Sequence, residues 1–454
     1  MLPERRVCGA VNRTALVAAL ASVSLCLAAA VFYSTKPSAA VSAHGDVAKR
    51  EVLRGYRRLG HRSFEAAYHS AGQLKTQIKR LLANPSDEAL LTARQAWRDA
   101  HRDYSRTEVF RFGNWIVDDW ETSVNAWPVD EGLLDYVDRS YEASPTNPLA
   151  RQNLVSQPDI QVGGITISAN TLDWAQLKFI HAGSDNESNV VLGYHAIEFL
   201  LWGQDLHRSE PGAGQRPWTD YSAAAEGCTS GIAPAPVEHC RRRRQLLQTM
   251  AEHLYSQLAT MTLDWAGNSP TSYGLHIAEG DVDEGLRRML FGIIRLAGDE
   301  MAGERMRVAL LTHAPEEEQD CFSDDTHQSL YNNAVGIQNI YYGHYQNDRY
   351  QSGEHYQAPL SLAALARRVD DALADQIDEA ILRTQLALSA IQRLGEGGQT
   401  FDLLIRPGHP EGRRAIEKAI EALQAQSQLF EQLGGRLGFE NSLNPQSPMR
   451  RSAG

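Results

Sequence analysis

The sequence predicts an all-α protein made of two tandem helical-bundle domains, with a long irregular loop in the first. Two observations support this fold class. Almost every segment after the N-terminus repeats its apolar residues at helical period, and no run alternates convincingly as a β-strand does. The composition, 43% hydrophobic and 22% charged over 454 residues, is that of a globular chain long enough for two ordinary domains.

The N-terminus has the layout of an export signal. Three arginines between positions 5 and 13 precede a nearly continuous apolar stretch over residues 14–32, and small residues lead up to Ala43. We predict a signal peptide over residues 1–43 and a protein exported to the periplasm or cell envelope. The apolar stretch is also long enough to remain as an uncleaved anchor. Membrane contact is expected only through this segment, if it is retained.

The net charge of −12 becomes more negative once residues 1–43 are removed. Nucleic-acid-binding proteins present basic surfaces, so we expect no nucleic acid partner. The one short basic run, Arg241–Arg244, is interpreted as a solvated helix start.

We place the N-terminal bundle at residues 44–268, the C-terminal bundle at 269–440 and a flexible tail at 441–454. Helices are predicted at about 44–83, 88–110, 242–265, 282–311, 329–346, 360–394 and 410–433. The inner side of the first helix is expected to carry Leu53, Tyr56, Phe64, Tyr68, Leu74, Ile78 and Leu81.

Two interruptions of the helical pattern stand out in the first half. The run Asn84-Pro85-Ser86-Asp87 is expected to end the first helix and to provide the N-cap of the second. Residues 111–161 then form the long irregular stretch, and loops of this length inside compact domains are often functional.

Three cysteines follow the predicted cleavage site. Cys228 and Cys240 flank a loop rich in Gly and Pro, and in an oxidising compartment they are expected to form a disulfide. Cys321 is predicted to be a buried thiol rather than a nucleophile, because no local cysteine-protease signature surrounds it.

The run over residues 190–203 is almost wholly apolar except for His195 and Glu198. Residues three apart share a helix face, and an imidazole beside a carboxylate is a natural pair of transition-metal ligands. Burying both is costly unless they find partners. The alternative is a buried hydrogen bond between them that only stabilises the core.

With Gly193 before it and Leu200–Gly203 after it, this stretch resembles the G-x-H-x-x-E motif of the imelysin family. That family includes the iron-regulated protein A group and was classed as a peptidase family. Further resemblance lies in residues 107–128, 296–306 and 316–327, and together the resemblance spans about residues 47–440. It implies an exported protein linked to iron uptake or iron-regulated envelope function, with other iron-uptake envelope proteins as partners.

A catalytic zinc site usually has three protein ligands. The H-E-x-x-H motif is absent, and the inverted H-x-x-E-H motif would need His where Phe199 stands. If His195 and Glu198 are two of the ligands, the third must therefore come from a distant part of the sequence. Glu108 is the first candidate for this third metal ligand. Asp130, Glu304, Asp324 and His327 could also supply it. If the two halves pack face to face, an interdomain cleft would bind the ligand. The candidate cleft residues are Trp127, Asp130, Glu304, Arg305, Ser323, Asp324 and His327.

Each candidate has an ordinary structural alternative. Glu108 would pair with a neighbouring arginine, Asp130 would cap a short helix at Glu131, and Glu304 with Arg305 would form a surface pair. Ser323 and Asp324 would cap a helix, and His327 would bond to backbone. A Ser323–His195 triad is disfavoured because no G-x-S-x-G elbow occurs.

Three functions therefore stay open. The first is binding of a divalent or ferric metal ion (iron or zinc) or of a small ligand without any metal. The second is a zinc metallopeptidase that uses His195 and Glu198. The third is an envelope interaction protein in which the H-x-x-E pair is purely structural.

Overall fold

The first helix is the longest one among the described residues. The computed structural model describes residues 39–207, 210–347 and 354–439, and α1 runs over Ala39–Ala83. The predicted inner residues of α1 are buried, except that Tyr68 is half-buried. The apolar stretch of the predicted signal segment and the predicted tail lie outside the described residues. No helix in the described ranges has the length and apolar character needed to cross a membrane.

The second helix begins where the sequence predicts a cap. In α2, Asp87–Ser105, the Ser86 side chain accepts a hydrogen bond from the Ala89 amide at 3.2 Å. The helix does not continue to residue 110 as predicted. It ends at Ser105, and a separate 3-10 turn follows at Glu108–Phe110.

The predicted irregular loop contains short regular elements. They are α3 (Trp115–Glu121), α4 (Glu131–Leu134) and strand β1 (Asp159–Val162). Three small antiparallel hairpins were not predicted, because strands of two to four residues are too short to show an alternating pattern. They pair β1 with β2 (Ile165–Ser168), β3 (Thr229–Ser230) with β4 (Ala233–Pro234), and β5 (His344–Asn347) with β6 (Glu354–Gln357).

The other elements are helices, which confirms the all-α class. They are α5 (Trp174–Ile180), α6 (Tyr194–Trp202), α7 (Val237–Ala266), α8 (Tyr273–Glu279), α9 (Val282–Ile294), α10 (Val308–Thr312), α11 (Thr326–Tyr342), α12 (Leu362–Val369), α13 (Asp371–Glu396), α14 (Phe401–Ile405) and α15 (Pro410–Arg436).

Two predicted helices are less regular than expected. The one at 282–311 is not α-helical throughout, since a π-helix, Arg295–Arg307, separates α9 from α10. The one at 360–394 is two helices, because the Asp370 side chain accepts from the Leu373 amide and starts α13 afresh.

The described residues form two hydrophobic cores. One joins the first half of α1 to α8, α9, the π-helix and α11–α15. The other joins the second half of α1 to α2, α6 and much of α7. Helix α1 therefore contributes to both cores. The division into domains at residue 268 stays a prediction.

The predicted disulfide is present between Cys228 and Cys240, twelve residues apart. Cys321 is buried as predicted, but it is not the free thiol that was predicted, because it is disulfide-bonded. Replacing Cys228 and Cys240 together with Ala is expected to lower the free energy of unfolding by about 2–3 kcal/mol, because the unfolded loop becomes unconstrained. Urea unfolding of the oxidised wild type and the double variant measures this. Coincident curves would contradict it.

Candidate functional site

Helix α6 carries the His195–Glu198 pair, and its position requires Gly193. Gly193 has φ +89°, and a Cβ there would lie 2.4 Å from the Val124 carbonyl oxygen. The next amide, of Tyr194, donates to that same oxygen at 2.8 Å. Any side chain at position 193 would separate α6 from the irregular loop. All nine residues of the helix are buried.

His195 and Glu198 share a face of α6, as their spacing predicts. The distance from His195 Nδ1 to Glu198 Oε2 is 3.0 Å. The other oxygen, Glu198 Oε1, accepts from the Ser323 amide at 2.9 Å and the Ser323 hydroxyl at 2.7 Å. The structure therefore brings together three of the predicted site residues, although 125 positions separate Glu198 from Ser323.

Burial determines the charge states of this pair. It lowers the pKa of His195 to about 3, so the imidazole is neutral at physiological pH. Burial also raises the pKa of Glu198 well above its ordinary value, and the nearby Asp320 carboxylate raises it further. A neutral imidazole is the form that binds a metal, and a cation beside Glu198 would offset the cost of its negative charge.

Two residues outside the predicted set complete the group. His101 on α2 and Asp320, before α11, each place a ligand atom within 4.8 Å of one on His195 and of each other, and all three residues are buried. Asp320 Oδ1 lies 3.4 Å from His101 Nδ1 and 3.8 Å from His195 Nδ1. We call these three residues the His–His–Asp cluster.

The ring orientation of His101 is determined by a chain of hydrogen bonds. The Asn125 amide donates to Glu108 Oε1 at 2.9 Å, so its oxygen faces His101 Nε2 at 3.0 Å. That nitrogen must carry the proton, and Nδ1 of the neutral ring keeps its lone pair toward Asp320. Ser329 donates its hydroxyl proton to Asp320 Oδ2, so it does not cap this lone pair.

Glu108 ends that chain and belongs to a buried ion pair. Arg305 donates to Glu108 Oε2 at 2.7 Å and to Oε1 at 3.2 Å. Asn333 also donates to Oε2, at 2.6 Å. The structure thus places Glu108 one side chain away from the cluster, with Asn125 between them. The neighbouring arginines, Arg106 and Arg111, form no ion pair with Glu108 within the described part of the chain.

The side chains of the cluster are of kinds that can bind a metal ion. His195 Nε2 and Asp320 Oδ1 are buried and have no hydrogen-bond partner among the described residues. Buried polar atoms without partners are costly and require an explanation. Two imidazoles and one carboxylate are the donor set of non-haem Fe(II) sites and of some zinc sites. In both histidines the second nitrogen is oriented by a neighbour, as metal-ligating histidines usually are.

A small cleft of about 220 Å³ adjoins the cluster. Its walls include Asn125, which is hydrogen-bonded to His101, and Gln319, which directly precedes Asp320. Three predicted cleft residues, Trp127, Glu304 and Arg305, also line it. The cleft lies between the irregular loop and the π-helix, and the three residues of the His–His–Asp cluster are not among those that line it.

The remaining candidates lie elsewhere. Asp130 precedes α4, but its carboxylate accepts from Tyr141 and Asn147 rather than capping that helix. Burial raises its pKa to about 6. His327 is buried in α11 close to Gly395, outside the His–His–Asp cluster. Asp324 belongs to a separate group of carboxylates with Glu318 and Asp402.

Sequence reasoning missed His101, Asn125 and Asp320. Asp320 stands inside an acidic run that was recognised only as part of a resemblance, and His101 stands on an amphipathic helix without a local motif. One signal was available for His101, a polar residue on the side of α2 that also carries Trp97 and Tyr104. No helical pattern covers Asp320, which lies in a turn before α11.

Comparison with known proteins gives consistent matches over most of the chain. The family model described as imelysin, peptidase M75, matches residues 60–430. Iron-regulated protein A of Synechococcus elongatus is 23% identical over 374 residues, which cover 81% of each protein.

Two solved structures share the fold. One, named as an iron-regulated protein A precursor of Parabacteroides distasonis, has a TM-score of 0.60 at 17% identity, covering 88% of this chain and 96% of its own. The other, an imelysin-like protein of Psychrobacter arcticum 273-4, has a TM-score of 0.54 at 14% identity, covering 86% and 96%.

Proposed function

The chain belongs to the imelysin family, and on that premise we propose that it binds one transition-metal ion, iron or zinc, at the His–His–Asp cluster. One observation carries the proposal: a ring nitrogen of each histidine and a carboxylate oxygen of Asp320 converge in a buried place. In addition, His195 Nε2 and Asp320 Oδ1 lack hydrogen-bond partners among the described residues. Glu198 and Asn125 orient the two imidazoles. Ser323 orients Glu198 in turn.

We favour iron as the physiological metal. The donor set suits Fe(II) as well as zinc, and the relatives that the chain resembles carry the name iron-regulated protein A. A role in iron uptake or in an iron-regulated envelope function agrees with the predicted export signal. One solved neighbour is also named a precursor. Mass spectrometry of the protein recovered from the cell envelope, expected to begin at His44, tests the export.

Binding is favoured over peptide hydrolysis by the burial of the cluster. His195, Glu198 and Asp320 are at most 1% exposed, and a metallopeptidase must admit a peptide bond to an open position on its metal. We therefore expect no cleavage of casein by the metal-loaded protein. Chelator-sensitive cleavage that disappears in His195→Ala would instead establish the peptidase alternative.

The decisive experiment measures metal binding by the protein expressed from its full-length reading frame. Elemental analysis after purification without chelator comes first, followed by calorimetric titration of the chelator-stripped protein with Fe²⁺ under anaerobic conditions, Fe³⁺, Zn²⁺ and Cu²⁺. We expect one tight equivalent, with affinity reduced at least 100-fold in His101→Ala and in His195→Ala because each removes a direct ligand.

His253→Ala is the matched control, since His253 is also a buried histidine but lies outside the cluster. It is expected to bind metal as the wild type does. If the wild type binds none of the four ions, the metal function is wrong. His195 and Glu198 would then belong to a site for some other ligand, or only to the core, as in the envelope interaction alternative.

A further inference from the structure

A second group of acidic side chains lies apart from the His–His–Asp cluster. Glu318, Asp324 and Asp402 each place a carboxylate oxygen within 4.8 Å of the other two. Glu318 and Asp324 come from the segment between α10 and α11, whereas Asp402 is on α14. The three residues are 1%, 6% and 2% exposed, so solvent does not shield their charges from one another.

Two of these carboxylates have an oxygen with no hydrogen-bond partner. Asp402 accepts from the Thr400 hydroxyl at Oδ1, which leaves Oδ2 unpartnered in the described ranges. Asp324 Oδ1 is likewise buried and unpartnered there. Native proteins rarely bury polar atoms in this way unless water or an ion satisfies them.

Within the described residues, no Lys or Arg forms an ion pair with Asp324 or Asp402. Arg98 is the basic side chain that favours the charged form of Asp324, but it is 3.6 Å from Asp325 and pairs with that residue. Asp205 adds a further negative charge that acts on both Asp324 and Asp402.

The pKa shifts agree with this imbalance. Burial, together with the neighbouring carboxylates, raises the pKa of Asp324 to about 8. Burial raises the pKa of Asp402 to about 6, with a smaller contribution from Asp205. Three adjoining carboxyl groups of this kind need either protons or a cation.

We propose that Glu318, Asp324 and Asp402 form a second cation site, which binds a hard divalent ion of the Ca²⁺ type. The ligands are oxygen atoms alone, without imidazole or thiolate, and such sets select Ca²⁺ or Mg²⁺ over softer transition metals. Burial favours Ca²⁺ over Mg²⁺, because Mg²⁺ usually keeps several of its waters and is seldom held by protein ligands alone. This site goes beyond the proposed function and does not depend on it.

The position of the site indicates what the ion would do. Asp324 directly follows Ser323, whose amide and hydroxyl donate to Glu198. An ion bound by Asp324 and Asp402 would attach this segment to α14 and thereby keep Ser323 in place. The second site would thus stabilise the segment that also carries Asp320, a ligand of the first.

The test is equilibrium dialysis of the chelator-stripped protein, expressed from its full-length reading frame, against Ca²⁺ at pH 8. We expect one equivalent bound by the wild type and an affinity at least tenfold lower in Asp402→Asn. The asparagine keeps an oxygen for Thr400 and relieves the repulsion. The metal-free variant should therefore melt no lower than the metal-free wild type, which separates a lost ligand from misfolding.

Asp130→Asn is the matched control, because Asp130 is an equally buried aspartate outside both groups; it should bind Ca²⁺ normally. Three results would overturn the proposal. The wild type could bind no Ca²⁺, in which case protons neutralise the three carboxyl groups. Asp402→Asn could bind as tightly as the wild type. Binding could instead disappear in His195→Ala, which would place the ion at the first cluster.

Discussion

Asp135→Asn is expected to lower the free energy of unfolding by about 3–5 kcal/mol at pH 7. Asp135 accepts from Arg216 at 2.7 Å and from Arg243 at 2.5 and 3.1 Å, and all three side chains are buried. The neutral amide would leave two buried guanidinium groups with one remaining carboxylate, Asp220. Removing one member of a buried ion pair costs this much because the remaining charge has no compensation.

The pH dependence gives a second measure of the same interaction. Burial alone would raise the pKa of Asp135, but Arg243 and Arg216 together keep it below its ordinary value of 3.8. A carboxylate with a lowered pKa stabilises the fold above its unfolded pKa, and this contribution is lost as the pH falls through the folded value. The difference between wild type and Asp135→Asn should therefore be full at pH 7 and decrease below about pH 4.

Urea unfolding across this pH range measures both effects. Asp375→Asn is the control, since Asp375 pairs with Arg367 on the surface, where such pairs contribute little. It should leave the unfolding midpoint unchanged. If Asp135→Asn also left the unfolding midpoint unchanged, the buried ion pairs of Asp135 would not stabilise the fold. Arg216 also bonds to the backbone at the end of α6 through its amide, so a destabilised network should loosen the helix that carries His195.

The helices could be predicted from the sequence where a local pattern specifies them. On α15 the apolar stripe of Ile416, Ile420, Leu423, Phe430 and Leu433 is buried along its full length. The break before α2 was also predictable, since Ser86 is an N-cap signal. These features depend on residues within a few positions of one another.

Features that depend on distant contacts were not predictable. The π-helix at Arg295–Arg307 contains the Arg305 that pairs with Glu108, 197 positions away. The His–His–Asp cluster combines residues from α2, α6 and the segment before α11, and only His195 stands in a recognisable motif. Spacing correctly placed His195 and Glu198 on one face, but the residues opposite that face depend on how helices pack.

Glu108→Gln is expected to reduce metal affinity about 10–100-fold, although Glu108 does not touch the metal position. The carboxylate accepts from Asn125, Arg305 and Asn333 at once. The side-chain NH₂ group of a glutamine there would take the place of Oε1, beside Asn125. The hydrogen bonds to Oε1 are longer than those to Oε2, so they are the ones that would be lost. Asn125 would then rotate and present its own amide to His101 Nε2, and the His101 proton would move to Nδ1, the nitrogen that faces Asp320.

The same substitution is expected to cost about 3–5 kcal/mol of stability, because Arg305 stays buried without its main counter-charge. Affinity and stability must therefore be separated. Calorimetric titration gives the first, urea unfolding the second, and ¹⁵N shifts of the His101 ring report which nitrogen carries the proton. We expect protonated Nε2 in the wild type and protonated Nδ1 in Glu108→Gln.

Glu300→Gln is the matched control for this effect. Glu300 also accepts from Arg305, at 3.0 Å, so its loss weakens the same ion cluster without reaching Asn125. It should leave metal affinity and the His101 tautomer unchanged. Equal losses of metal affinity in the two variants would show that the negative charge of Glu108 and Glu300 attracts the cation. A loss confined to Glu108→Gln, together with the tautomer change, would show that Glu108 acts by orienting His101 through Asn125.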